Sequence, residues 1–163
     1  MNTPEYVAVG EFYGDRCSAR SRVPLMNHID EGLEILRQMN VDEHVLAAWC
    51  LHPLVQGNSP IDVNWSTGYV LAREYRLFAN FYLCRPETDH FTEDTVEMIL
   101  EAVSTDCVNM LLVDKQQNQK DFRLYNSEHP RAKELEKYFN NWINGISKTL
   151  SNRQTGYLQN QCV

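Results

Sequence analysis

Apolar side chains recur at helical spacing along almost the whole chain, and that rhythm excludes most folds before any single residue is weighed. Leu25, Ile29, Leu33 and Leu36, with Gly32 beside them, form one stripe. Steps of three and four residues put them on one side of an α-helix, facing a core. The rhythm returns at Val70, Leu71, Leu77, Phe78 and Phe81, and again at Val96, Ile99, Leu100 and Val103. It returns last at Leu135, Tyr138, Phe139, Trp142, Ile143 and Ile146. No segment shows the two-residue alternation of a half-buried strand. The expectation is an all-α bundle of six or seven helices.

Breaks and caps divide the chain. Thr3 caps a first helix over Pro4 to about Tyr13, with proline at the tolerated first position. The segment from Gly14 to Val23 is polar and basic, carrying Arg16, Arg20 and Arg22. A second helix spans Leu25 to Met39. A third spans Glu43 to His52 with Asp42 as its cap, and Pro53 ends it within about a turn. Gly57 to Ser66 reads as loop, Tyr69 to Cys84 as an aromatic helix, and Arg85 to Asp89 as a break. Thr92 caps the next helix. Ser104, Thr105 and Asp106 then start another, about Cys107 to Leu124. The last helix begins near Pro130 and reaches roughly Lys148. Residues 1–150 thus form one domain, and residues 151–163 form a polar tail expected to be mobile.

Composition narrows the function classes. The chain has 163 residues, enough for one domain with a sizeable core. Its net charge of −7 argues against a nucleic-acid binder, although a local basic pocket stays compatible with it. No apolar run approaches the roughly 20 residues of a membrane helix. Its five cysteines are Cys17, Cys50, Cys84, Cys107 and Cys162, an odd and scattered set without a C-x-x-C. That pattern points to a reducing, cytoplasmic setting rather than a disulfide framework or zinc ribbon. Cys50 and Cys107 sit in apolar stretches and read as core.

Three segments carry residues capable of chemistry. His28 lies on the second helix and shares a face with Glu31 three residues on. His52 closes the third helix. Asp114, Asn118 and Asp121 lie on one face of a helix that is otherwise apolar over Val108 to Val113. A carboxylate in such a run needs a partner, a metal or a raised pKa. Two histidines and a carboxylate suit zinc, manganese or iron. The same residues also have a purely structural reading, with Asp114 paired to Arg73 or Arg76. His44, His90 and His129 have no partner at useful spacing and read as surface.

The order of these segments resembles the hydrolase domain of the RelA/SpoT family and its small stand-alone relatives. Arg20 through His28 is similar to the family's basic loop and "PYxxHP" entry. Ala47-Ala48-Trp49-Cys50-Leu51-His52 is similar to "AALLHD", and Val113 through Asp121 to "ADKLxNLRD". Tyr138 through Trp142 is similar to the late aromatic turn. The resemblance implies an HD-domain-like helical bundle that binds Mn and removes the 3′-pyrophosphate of guanosine polyphosphates. It implies metal ligation by His28, His52 and Asp114, phosphate contacts by Arg20 and Arg22, and nucleotide contacts by Lys115 and Asn118. The departures are as informative. The HD aspartate is Pro53, and the following acidic pair falls on Gln56 and Gly57. Gln56 can orient a water but cannot take its proton, and Glu31 is the residue placed to substitute as ligand or base.

The functional expectation is an HD-fold protein that binds a phosphorylated nucleotide, with a metal-dependent phosphohydrolase site in altered form. The alternative is an inactive HD module that sequesters a nucleotide or docks on a protein. The aromatic helix Tyr69 to Cys84 could serve the core or a homodimer, and core is the expectation.

Overall fold

The computed structural model describes residues 2–19, 21–57, 59–83, 88 and 91–160, with side chains through residue 155. Among them are seven α-helices and no strand, only an isolated bridge between Cys17 and Pro24. The helices are α1 (Pro4–Tyr13), α2 (Leu25–Gln38), α3 (Glu43–Gln56), α4 (Tyr69–Phe78), α5 (Glu93–Leu100), α6 (Thr105–Tyr125) and α7 (Ala132–Asn160). A π-helical turn, Ala79–Leu83, prolongs α4.

The centre of the fold is α3. It is apolar around its whole circumference, and ten of its fourteen residues are buried, so it needs neighbours on every side. It gets α1, α2, α4 and α6. The other side of α6 packs on α7, which also covers α5. Trp49 and Trp142, both fully buried, anchor the two halves of this continuous core.

Two glycines permit the closest approaches. A Cβ on Gly32 would lie 2.2 Å from the Trp49 ring. One on Gly68 would lie 2.3 Å from the backbone nitrogen of Ala48. Both distances are shorter than atoms tolerate, so α2 and the start of α4 reach α3 only because those side chains are missing.

The caps follow the expected pattern with one difference. Thr3 Oγ1, Thr92 Oγ1 and Ser104 Oγ accept from the amides of Tyr6, Thr95 and Cys107. Asp42 adopts the extended cap conformation but makes no capping bond through its side chain. α3 runs three residues past Pro53, within the turn allowed. α7 runs further than its sequence suggests, through residues assigned to the tail, to Asn160. The extension is held by Arg153, which donates to the carbonyls of Leu100 and Val103 at 2.8 and 2.9 Å. Cys50 and Cys107 are buried and free, and Cys17 is exposed and free. Cys84, Cys162, His90 and most of the 85–89 break lie outside the described residues. α4 gives Leu71, Ala72, Tyr75 and Phe78 to the core. No helix among the described residues is long and apolar enough to cross a membrane.

Candidate functional site

His28, His52 and Asp114 come together from α2, α3 and α6, as their segments suggested. The imidazole centres of His28 and His52 are 5.4 Å apart, edge to face. His28 Nε2 is 3.9 Å from Asp114 Oδ1. Trp49 supports both histidines, its ring centre 4.9 Å from His28 and 4.6 Å from His52. Its indole nitrogen is fixed by donation to Ile29 O at 3.1 Å. All three residues line a cleft of about 250 Å³, together with Tyr13, Glu31, Gln56, Asn118, Lys120 and Asp121.

The proline after His52 has a local consequence. A helical residue at position 53 would donate its N–H to the carbonyl four residues back, that of Trp49, and proline has no N–H to give. His52 Nδ1 lies 2.6 Å from that same carbonyl oxygen. An oxygen of this kind only accepts, so Nδ1 carries the proton and donates it. Burial drives the His52 pKa down from 6.5 to about 3, aided by the neighbouring His28. The ring is therefore neutral at pH 7, and Nε2 keeps its lone pair. His28 is also shifted down, by burial first, with Asp114 pulling the other way. Two neutral imidazoles thus flank one carboxylate.

Asp114 is 8% exposed, so its charge needs local support. The Lys115 ammonium lies 3.9 Å from Asp114 Oδ2, in place of the arginine partner that the structural reading proposed. Tyr75 packs its ring 5.1 Å from His52. Its phenol is held well above the ordinary value by burial and by the Asp114 carboxylate, so it stays protonated. Tyr13, at the cleft wall, is pushed up to about 12, mainly by burial.

The remaining sequence-predicted residues divide. Asn118 and Gln56 line the cleft, as does Asp121 on the same face of α6. Glu31 lines it too, but it is ion-paired with Lys120, whose ammonium also sits 3.5 Å from Asp121. Lys115 does not line it. Its ammonium turns inward, 3.2 Å from the Tyr138 hydroxyl and over the rings of Tyr138 and Trp142. Arg22 is exposed, sits in a left-handed backbone conformation with φ of 60°, and is not among the lining residues. Arg20 lies outside the described residues. His44 has a partner after all, Asp106 Oδ2 at 2.9 Å. Tyr13, Tyr75 and Lys120 were not singled out from the sequence, and their spacing relative to the three predicted ligands carries no local signal.

Among the described residues, three carboxylates (Glu31, Asp114 and Asp121) face one ammonium in this cleft. Neutral nitrogen donors beside a carboxylate are the right chemistry for a divalent cation. The arrangement is less complete than the chemistry. Among the described residues no group of three or more His, Cys, Asp or Glu side chains is placed to hold a metal ion. The position of the fourth expected ligand is Pro53, buried within α3.

Comparison of the chain with protein-family models, with curated proteins and with solved structures found no match.

Proposed function

We propose that the chain is an HD-like protein that binds the phosphoryl end of a nucleotide, a guanosine polyphosphate by its resemblance, at the His28–His52–Asp114 cleft. A divalent cation, Mn by the same resemblance, enters with the ligand. The observation that carries the reading is the pairing of two neutral imidazoles with a buried carboxylate in one cleft. An anion alone is disfavoured there, because the surrounding carboxylates repel it. A cation held by His28, His52 and Asp114 would neutralise phosphoryl oxygens and make the cleft receptive to them. With three donors and no closed shell, cation and nucleotide are expected to bind together rather than the metal being resident. Tyr13 can donate a hydrogen bond from its protonated phenol, and Asn118 and Gln56 supply neutral polar contacts.

The inactive form of this reading has its own support. Glu31, the residue placed to replace the missing acids, is engaged by Lys120. Gln56 cannot take a proton. General acid–base catalysis needs a group that can. Binding without turnover is therefore the expected behaviour.

The test begins with extensively dialysed protein. Mn²⁺ uptake and nucleotide binding are measured separately and together, across guanosine and adenosine nucleotides that include the 3′-phosphorylated ones. Uptake is expected only when a nucleotide is present, and it should be lost in Asp114→Asn. No bound metal under any nucleotide condition overturns the proposal. Pyrophosphate release, followed in the same samples, would replace the inactive reading with a hydrolase.

A further inference from the structure

A larger cavity than this cleft lies elsewhere among the described residues. It has a volume of about 660 Å³ and is formed by the end of α3, the loop before α4, and α4 itself. That is within the usual range for small-molecule sites, roughly 300–1,000 Å³. The cleft described above is less than half as large.

Its wall on α4 is one helix face. Arg73, Arg76, Leu77 and Asn80 recur at steps of three, one and three residues, and all four line the cavity. Asn80 belongs to the π-helical turn. Two guanidiniums one turn apart offer two forks of donors of the sort that grip phosphate oxygens. The Arg73 guanidinium lies 5.9 Å from the centre of the Tyr69 ring, which is also in the wall.

The opposite wall is prepared rather than loose. Ser59 Oγ accepts from the Ile61 amide at 3.1 Å, and Asp62 Oδ1 from the Asn64 amide at 3.1 Å. Among the described lining residues Asp62 is the one carboxylate, against two guanidiniums. In a chain of net charge −7 this cleft is locally basic. Leu54 and Val55 add an apolar surface beside the Tyr69 ring.

We propose that this second cleft binds a small organic phosphate, with Arg73 and Arg76 on the phosphate and Tyr69, Leu54 and Val55 against the organic part. It binds without a metal. This site is independent of the one on α6, because its charge comes from arginine rather than from a cation.

The experiment is calorimetric titration in excess EDTA, with guanosine 5′-monophosphate, ribose 5-phosphate and inorganic phosphate as probes. Wild-type protein is expected to bind all three, the nucleotide tightest. Arg73→Gln and Arg76→Gln should each weaken nucleotide binding by about tenfold, the loss of a charge-assisted hydrogen bond. Arg76→Lys, which keeps the charge but not the fork, should fall between. Circular dichroism and a melt verify that each variant is folded. The proposal is overturned if no probe binds in EDTA, if folded Arg73→Gln and Arg76→Gln bind like wild type, or if binding appears only when Mn²⁺ is restored. The last outcome assigns the nucleotide to the acidic cleft instead, so the two proposals fail separately.

Discussion

Two clefts open on either side of the same stretch of α3, and they are built in opposite ways. His52 and Gln56 face the acidic one, while Leu54 and Val55 face the basic one. The acidic cleft has a floor of buried groups, the neutral His52 imidazole and the Asp114 carboxylate, with the Lys115 ammonium turned inward behind them. The basic cleft is walled by side chains that stand on a finished surface, Arg73 exposed and Arg76 half-buried. In the first, the residues proposed to bind are also those on which stability draws. In the second, the exposed Arg73 lets the two be tested apart.

The sharpest test of that difference is Asp114→Ala. It leaves the Lys115 ammonium, 4% exposed, without its carboxylate. Breaking a buried pair in this way costs about 3–5 kcal/mol. Urea denaturation should show the loss, and Lys115→Met combined with it should recover part. A cost under about 1 kcal/mol, the value typical of surface pairs, would mean that the pair is solvated and the contrast false.

Next come the two glycines, which separate the clefts geometrically. Gly68→Ala drives a methyl into the backbone of Ala47 and Ala48. It should cost about 3 kcal/mol, at the upper end of overpacking, and disturb the basic cleft at the start of α4. Gly32→Ala presses on Trp49 instead and should disturb the acidic cleft. Each variant is titrated with guanosine 5′-monophosphate in EDTA and with Mn²⁺ plus nucleotide. Damage to both kinds of binding in both variants would show one site rather than two.

Acidification gives a smaller effect. Folding lowers the His52 pKa from 6.5 to about 3, so the unfolded chain takes up a proton that the folded chain refuses. This contribution is complete above the unfolded value and is lost progressively as pH falls from 6.5 toward 3. Between about pH 7 and pH 5 it amounts to roughly 2 kcal/mol. His28 shifts in the same direction and adds to it. Stability measured across that window should flatten in His52→Asn, and an unchanged slope would contradict the neutral imidazole.

The smallest effect is Arg73→Gln, which should move stability by no more than about 0.5 kcal/mol. Its consequence belongs to binding alone. A marked drop in melting temperature would make the basic cleft structural as well.

The helices were legible because their signals are local: stripes, caps and breaks within one segment. The convergence of His28, His52 and Asp114 was legible as an order of segments, and the fold brings them together. What failed to show were other contacts between distant segments, outside the resembling motifs. His44 pairs with Asp106, sixty-two residues away, and nothing near His44 announces it. Arg153 extends α7 by binding two backbone carbonyls, which leave no trace in residue identity. Lys115 follows Asp114 directly, but one residue of helix turns a side chain by about 100°. That rotation takes the ammonium out of the cleft and against Tyr138. Arg73 and Arg76 were weighed only as partners for Asp114, because a basic pair on a half-apolar helix has no sequence mark that distinguishes a wall from a salt bridge.

The proline at position 53 also ties its own identity to that of the residue before it. Its missing N–H leaves the Trp49 carbonyl to His52, so the residue that follows the histidine helps to aim the imidazole. Substituting an aspartate would restore an amide competing for that carbonyl and would loosen the histidine as it supplied the carboxylate. Positions 52 and 53 are therefore not independent characters. An aspartate at position 53 would therefore change the aim of the imidazole as well as the charge beside it.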